Sequence, residues 1–317
     1  MKIIRAEKMG FCFGVAGAIN LCNKIADETD KLRQKNIEET EKNLKENIKE
    51  KNFFEGNLFI LGMLVHNKKV TSDMEKKGFR TLSEEDLREG KIKLEKKDTV
   101  IIRAHGTTKE IYDILEKEKV KISDATCVFV ERIRKALIEA EEKGKKIIFI
   151  GDRFHPEVKG IVSFGKNVSV VNSFEEFMEL PINPNEEYCL LTQTTLNKEL
   201  FFQIKDYITD NYSNIEIFSK ICGATYERQK AVEKLAKEVD MVIIVGDNKS
   251  SNSKKLYEIS KSVNEKSYLI QDKTELDSSW FKDVERVGIT AGASTPEEII
   301  LEIENEIRGT FDDKHGL

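Results

Sequence analysis

Three cysteines, Cys12, Cys127 and Cys222, each stand at the head of a similar stretch of sequence. Cys127 and Cys222 are each followed by a helix-like run sharing an alanine (Ala136, Ala231). A short apolar strand then ends in Gly-Asp, and its glycine, Gly151 or Gly246, lies 24 residues after the cysteine. Cys12 opens a third copy in GFCFGVAGAI, whose strand NLFILG ends at Gly62. Units repeated in this way can bring three thiolates to one centre. Thiolates hold iron–sulfur clusters, and a cluster that only carries electrons normally takes four of them. Three leave one iron open, able to act as a Lewis acid on a substrate oxygen. The pattern therefore points to a reactive cluster. A lone cysteine in a reducing compartment is usually a small buried hydrophobe. That is the expectation for Cys22, on the first helix, and for Cys189, inside the strand YCLLTQ.

The same strand ends carry polar side chains. His66, His155 and Ser250 each stand four residues after one of the repeated glycines, and His105, Thr194 and Ser294 follow a second strand in each unit. Ser250, Ser251, Asn252 and Ser253 form a run of neutral donors. Open α/β sheets bind ligands at strand ends, and helix starts attract anions. Imidazoles and neutral donors together suggest a phosphate or diphosphate. Any one of these hydroxyls could equally be an N-cap, and Ser294 with Thr295 is expected to cap a helix. No GxGxxG or Walker A pattern occurs, so nucleotide binding is not indicated. Glu157, in HPE at 155–157, stands two residues past a pocket-facing histidine and is a candidate proton carrier. The ordinary fate of a glutamate is exposure to solvent.

Apolar runs such as NLFILG, TVIIRA, KIIFIG, YCLLTQ, MVIIVG and RVGITA alternate with helical patterns, which predicts α/β units with buried parallel strands. Each unit continues with a capping-box start, Ser83 to Asp86, Ser173 to Glu176 and Asp272 to Glu275. Each then has a strand running into a small polar cluster, RAHGTTKE, LTQTTLNKE or TAGASTPEE. The expected fold is α/β, with three pseudo-repeated, trefoil-like units spanning 13–122, 123–218 and 219–317. By the same cycle, the strand in residues 1–12 is expected to complete the third unit. Residues 28–52 read as a Lys/Glu-rich helical insertion in the first unit, its charges facing water. The tail FDDKHGL reads as frayed, with no role for His315.

The composition narrows the class. Of 317 residues, 39% are hydrophobic and 34% charged, with a net charge of −5, which disfavours a general nucleic-acid binder. No apolar run reaches the roughly 18 residues of a membrane span, and MKIIRAEKMGFC lacks the pattern of a signal peptide. A cytoplasmic protein is expected, its five cysteines not paired as disulfides and no CxxC motif present.

These residues resemble the hydroxymethylbutenyl diphosphate reductase family, also called LytB or IspH. The matching motifs are GFCFGV around Cys12, VHN at His66, AHG at His105, DATC at Cys127, HPE at 155–157, TQTT at 192–195, SSNS at 250–253 and TAGAS at 290–294. They occur in family order over nearly the whole chain. The resemblance implies three α/β units around a central [4Fe-4S] cluster held by Cys12, Cys127 and Cys222. It implies reductive dehydroxylation of (E)-4-hydroxy-3-methylbut-2-enyl diphosphate to isopentenyl and dimethylallyl diphosphate, the last step of the non-mevalonate isoprenoid pathway. The substrate hydroxyl would bind the open iron, Thr194 would orient it, and Glu157 would supply protons with His155 nearby. The diphosphate would lie among His66, His105, His155, Ser250, Ser251, Asn252 and Ser294. A ferredoxin or flavodoxin would deliver electrons to a monomeric enzyme.

Val128 stands where the family often has proline, Tyr226 is less usual after Cys222, and the 28–52 insertion is atypical; Thr225 matches a frequent small polar position. Two rival readings remain open. One is another three-cysteine cluster enzyme, similar to quinolinate synthase. The other is a non-catalytic redox or phosphate sensor.

Overall fold

The strands that read as apolar runs are buried on both faces. LFIL, TVII, YCLLT and MVIIV are buried at every residue, as parallel strands covered by helices on two sides must be. The computed structural model describes residues 1–45, 56–218 and 222–311. Its first stretch holds β1 (Lys2–Arg5), α1 (Phe13–Lys45), β2 (Leu58–Leu61), α2 (Lys68–Lys76), β3 (Phe79–Leu82), α3 (Glu84–Arg88), β4 (Thr99–Ile102), α4 (Lys109–Glu118) and β5 (Lys121–Asp124). The middle holds α5 (Val128–Glu142), β6 (Lys146–Ile150), α6 (Pro156–Val162), β7 (Val168–Val171), α7 (Phe174–Met178), β8 (Tyr188–Thr192), α8 (Lys198–Asn211) and β9 (Ile215–Ile217). The last holds α9 (Gly223–Glu238), β10 (Met241–Val245), α10 (Ser251–Val263), β11 (Ser267–Ile270), β12 (Arg286–Ala291) and α11 (Glu297–Phe311).

These strands form three four-stranded parallel sheets of one topology, ordered β3-β2-β4-β5, β7-β6-β8-β9 and β11-β10-β12-β1. The α/β class and the threefold repetition expected from the sequence are what the chain builds. β1 takes the fourth place in the third sheet, with Lys2 opposite Arg286 and Arg5 opposite Ile289. The described part of the charged insertion continues α1 through Lys45; residues 46–52 and His315 lie outside the described residues. Among the described residues no helix is long and apolar enough to cross a membrane.

Alternate side chains of each central strand feed different core layers. Ile147 and Phe149 of β6 pack with Ile133 and Leu137 of α5, while Ile148 and Ile150 pack with Phe201 and Ile204 of α8. In the third sheet Ile243 meets Ile300 and Ile303 of α11, and Ile244 meets Val232 and Leu235 of α9. Cys22 and Cys189 sit inside such layers, and burial pushes their thiols up to about 12 and about 11. Both are inert space-fillers. The capping residues act as expected at Ser83 and Ser173, whose hydroxyls accept from Asp86 and Glu176 amides. Asp272 instead binds both the amide and the hydroxyl of Thr274 and starts only a short 3₁₀ turn.

Of the repeated strand-end glycines, Gly62 holds a left-handed backbone (φ 65°), while Gly151 and Gly246 are there for space. A Cβ on Gly246 would lie 2.2 Å from Ser253 Oγ, and one on Gly151 would lie 2.9 Å from Gln193 Cβ. Gly246→Ala is therefore expected to cost about 1–3 kcal/mol by overpacking. Gly17→Ala, on the open face of α1 with nothing within 4 Å, should gain up to about 1 kcal/mol of helix stability. Denaturant titration of both variants checks the contrast; two changes of the same sign would contradict it.

Candidate active site

Each of the three cysteines sits at a helix start. Cys127 is the N-cap of α5, Cys222 the N-cap of α9, and Cys12 immediately precedes α1, its sulfur accepting from the Val15 amide at 3.5 Å. Free amides and the positive dipole end favour thiolates in such places. Burial pushes the Cys127 thiol up, the amides of Phe129 and Val130 pull it down, and Cys12 and Cys222 act on it as neighbouring charges. All three line one cavity with about 760 Å³ of empty space, counting its open mouth. Gly14 completes this wall, because a Cβ there would stand 2.6 Å from the sulfur of Cys127 and 3.9 Å from that of Cys12.

The opposite wall carries the histidines. Ring centroids of His66 and His105 are 5.3 Å apart, and those of His105 and His155 5.7 Å. His155 caps α6, its Nδ1 accepting from the Glu157 amide at 3.1 Å. The neutral ring must therefore carry its proton on Nε2. Burial lowers the pKa of His155 to about 4 and holds that of His105 well below the usual imidazole range, with neighbouring rings adding to the effect. Burial also lowers His66, partly offset by Asp247. The cluster of rings is thus neutral at neutral pH. Nδ1 of His66 and Nδ2 of Asn252 are buried without a partner among the described residues, so both remain free to meet a ligand.

Glu157 and Thr194 meet beside these rings. Glu157 is 1% exposed. The Thr194 amide donates to Oε1 at 2.6 Å and its hydroxyl to Oε2 at 2.7 Å. Burial pushes the Glu157 carboxyl up, and the two Thr194 bonds pull it back. Along the third unit, Ser250 caps α10 by accepting from the Ser253 amide, and Ser251 Oγ meets Thr195 Oγ1 at 2.9 Å. Ser250, Ser251, Asn252 and Ser294 all reach the cavity wall, at the start of the 13-residue helix α10 and in the loop after β12.

The three helix-start cysteines, the three strand-end histidines, Glu157, Thr194, Ser250, Ser251, Asn252 and Ser294 singled out in the sequence all line this one cavity, as does Thr225, whereas Ser253 is buried behind it against Gly246 and Gly292. Ser294 and Thr295 differ from expectation. Their hydroxyls donate to the carbonyls of His66 and Val245, satisfying buried backbone acceptors rather than capping α11. Sequence reasoning missed Gly14, Thr195 and Arg228, which also line the cavity. Gly14 and Thr195 lie inside the motifs GFCFGV and TQTT without having been singled out; Arg228 lies in an ordinary charged helical stretch, with no signal that it points inward.

A family model described as LytB protein matches residues 34–308 of the chain. A 4-hydroxy-3-methylbut-2-enyl diphosphate reductase of Fusobacterium nucleatum is 50% identical over 98% of this chain, which spans 34% of that protein. Enzymes of the same name from Thermoanaerobacter sp. and Helicobacter pylori are each 38% identical, covering 97% of this chain and 97% and 99% of theirs. Among solved structures, a Plasmodium falciparum reductase of this type superposes with a TM-score of 0.82 at 26% identity, covering 98% of this chain and 89% of its own. A second, described as the terminal enzyme of the non-mevalonate pathway, gives 0.62 at 34% identity over 97% and 99%.

The electrostatics of Glu157 set a stability test. A carboxyl whose folded pKa is raised above its unfolded value of about 4.3 stabilises the fold below that value and loses this contribution as pH rises through the folded pKa. Glu157→Gln should therefore gain stability relative to the parent between pH 5 and pH 8, seen as a widening difference in melting temperature. A difference that stays flat with pH would mean the carboxyl ionises as freely as an exposed one.

Proposed function

Because the chain belongs to the LytB family, we propose that it reductively dehydroxylates (E)-4-hydroxy-3-methylbut-2-enyl diphosphate to isopentenyl and dimethylallyl diphosphate, the terminal step of the non-mevalonate pathway. The observation that carries this reading is the convergence of the three helix-start thiols and the Glu157–Thr194 pair on one cavity walled by neutral anion donors.

Cys12, Cys127 and Cys222 would hold a [4Fe-4S] cluster. The donor set fits. Three sulfurs ring one wall, Gly14 keeps that wall free of a side chain, and a buried Arg228 Nε–H has no partner among the described residues. Bound there, the cluster would supply electrons and a Lewis-acidic iron.

The chain's own residues manage charge and protons. Replacing C–OH by C–H consumes two electrons and two protons, one leaving in water and the other going to carbon. Glu157, with its raised pKa, keeps a proton further up the pH scale than an exposed glutamate. The Thr194 hydroxyl donates to Oε2 in this structure; with Oε2 protonated it would turn to accept from the carboxyl and pass its own proton to the leaving oxygen. His155 presents its Nε2–H close by. The diphosphate would be met by His66, His105, His155, Ser250, Ser251, Asn252 and Ser294, together with the free amides at the start of α10. Its negative charge would raise the pKa values of the neutral rings as it binds. The same reading has a ferredoxin or flavodoxin as electron donor to a cytoplasmic monomer.

Anaerobically reconstituted protein, given a reduced donor and the diphosphate, should form both isomeric products; absence of turnover by cluster-loaded protein would overturn the proposal. Serine at Cys12, Cys127 or Cys222 should abolish iron binding, and Gly14→Ala should lower it by displacing the Cys127 sulfur, while serine at Cys189 leaves iron content intact. Glu157→Gln should keep cluster and substrate affinity yet lose at least about a hundredfold in turnover, the scale of a positioned general acid. Turnover within a few-fold of the parent would assign the proton to another route.

A further inference from the structure

Arg228 is the one Arg or Lys among the described residues lining the cavity. It lies on α9, six residues past Cys222, and is 6% exposed. A buried guanidinium is costly unless its donors and its charge are both answered. One Nη donates to the Ala224 carbonyl at 2.8 Å and the other to the Gly10 carbonyl at 2.7 Å. Gly10 precedes Cys12 by two residues and Ala224 follows Cys222 by two. The side chain thus clips the loop that carries one thiol to the helix start that carries another. The third donor, Nε–H, is buried without a partner among the described residues. Neutral carbonyls do not balance a cation. Burial disfavours the charged form, and the charges that oppose this are the sulfurs of Cys12 and Cys222.

We propose that Arg228 is a positioning residue of the cluster, holding Cys12 against Cys222 and setting the cluster's reduction potential through its fixed charge and its free Nε–H. The inference rests on the cluster reading above. Each electron taken up makes the cluster one unit more negative. A cation fixed among the sulfurs stabilises that reduced state and raises the potential, which eases transfer from an external donor. Cysteine thiolates and an anionic substrate bring negative charge to the cavity, and Arg228 is the one Arg or Lys among the described residues that lines it.

The test is an anaerobic redox titration of cluster-loaded parent and Arg228→Met, followed by electron paramagnetic resonance, with iron content measured alongside. The methionine variant should hold its cluster at a lower potential. Its reduced-to-oxidised ratio at a fixed potential should fall by about tenfold, equivalent to about 59 mV for one electron. Loaded Arg228→Met with the parent's potential would overturn this inference alone. A parent that takes up no cluster would overturn the underlying reading and this inference with it. If Arg228→Met loads no iron, Arg228→Lys decides. A lysine variant that loads and keeps a potential near the parent's supports the charge as the operative feature. Failure of lysine to load means that the two-carbonyl clip is the whole role, and the tuning proposal is wrong.

Discussion

Three sulfurs that must face one another across a cavity repel as soon as they ionise, and the architecture answers that constraint. Each sulfur is placed at the start of a helix, where unbonded amides and the helix dipole stabilise negative charge. Here the three helix starts come from three separate sheets of identical strand order. The apolar layers on both faces of each sheet fix those helices. Core packing and sulfur placement are one geometric problem, solved three times.

The part of the cavity lined by histidines and serines follows a different logic. Apart from Arg228, which is already engaged by two carbonyls and set against the sulfurs, its donors are neutral. Imidazoles kept neutral by burial, hydroxyls, a primary amide and helix-start amides can receive a diphosphate without first carrying a charge of their own. A permanently cationic wall would have drawn Glu157 toward ionisation. Burial and the absence of lysine from the wall leave the carboxyl held up in the pH scale, with Thr194 as its only direct hydrogen-bond partner among those described.

What the sequence disclosed was whatever repeats or alternates along the chain. The 24-residue spacing from Cys127 to Gly151 and from Cys222 to Gly246, the apolar strands and the polar strand ends all lie in local order, and from them the three-unit fold and the members of the site were legible. Contacts that join units were not. Ser294 reaching the His66 carbonyl, Gln229 binding the Leu196 carbonyl and the Lys198 amide, and Gly14 facing the Cys127 sulfur all depend on where one sheet stands against another, and Arg228 reaching Gly10 spans 218 residues within the third unit. No periodicity encodes that. Arg228 and Gln229 read as solvent-facing helix residues because a helical pattern reports only its own core face, and α9 is covered on a second side by its neighbours.

The strand β1 has a consequence for how the molecule is made. Lys2 pairs with Arg286, and the Ala6, Gly10 and Cys12 amides bind carbonyls of Ile289, Ala291 and Ala293. β1 therefore stays without its partner until β12, far along the sequence, has been synthesised. Until then the Cys12 loop lacks its backbone bonds to Ala291 and Ala293. A chain interrupted before β12 leaves the third sheet one strand short and the Cys12 loop without its backbone partners there, so bringing the three thiols together is a late event of folding.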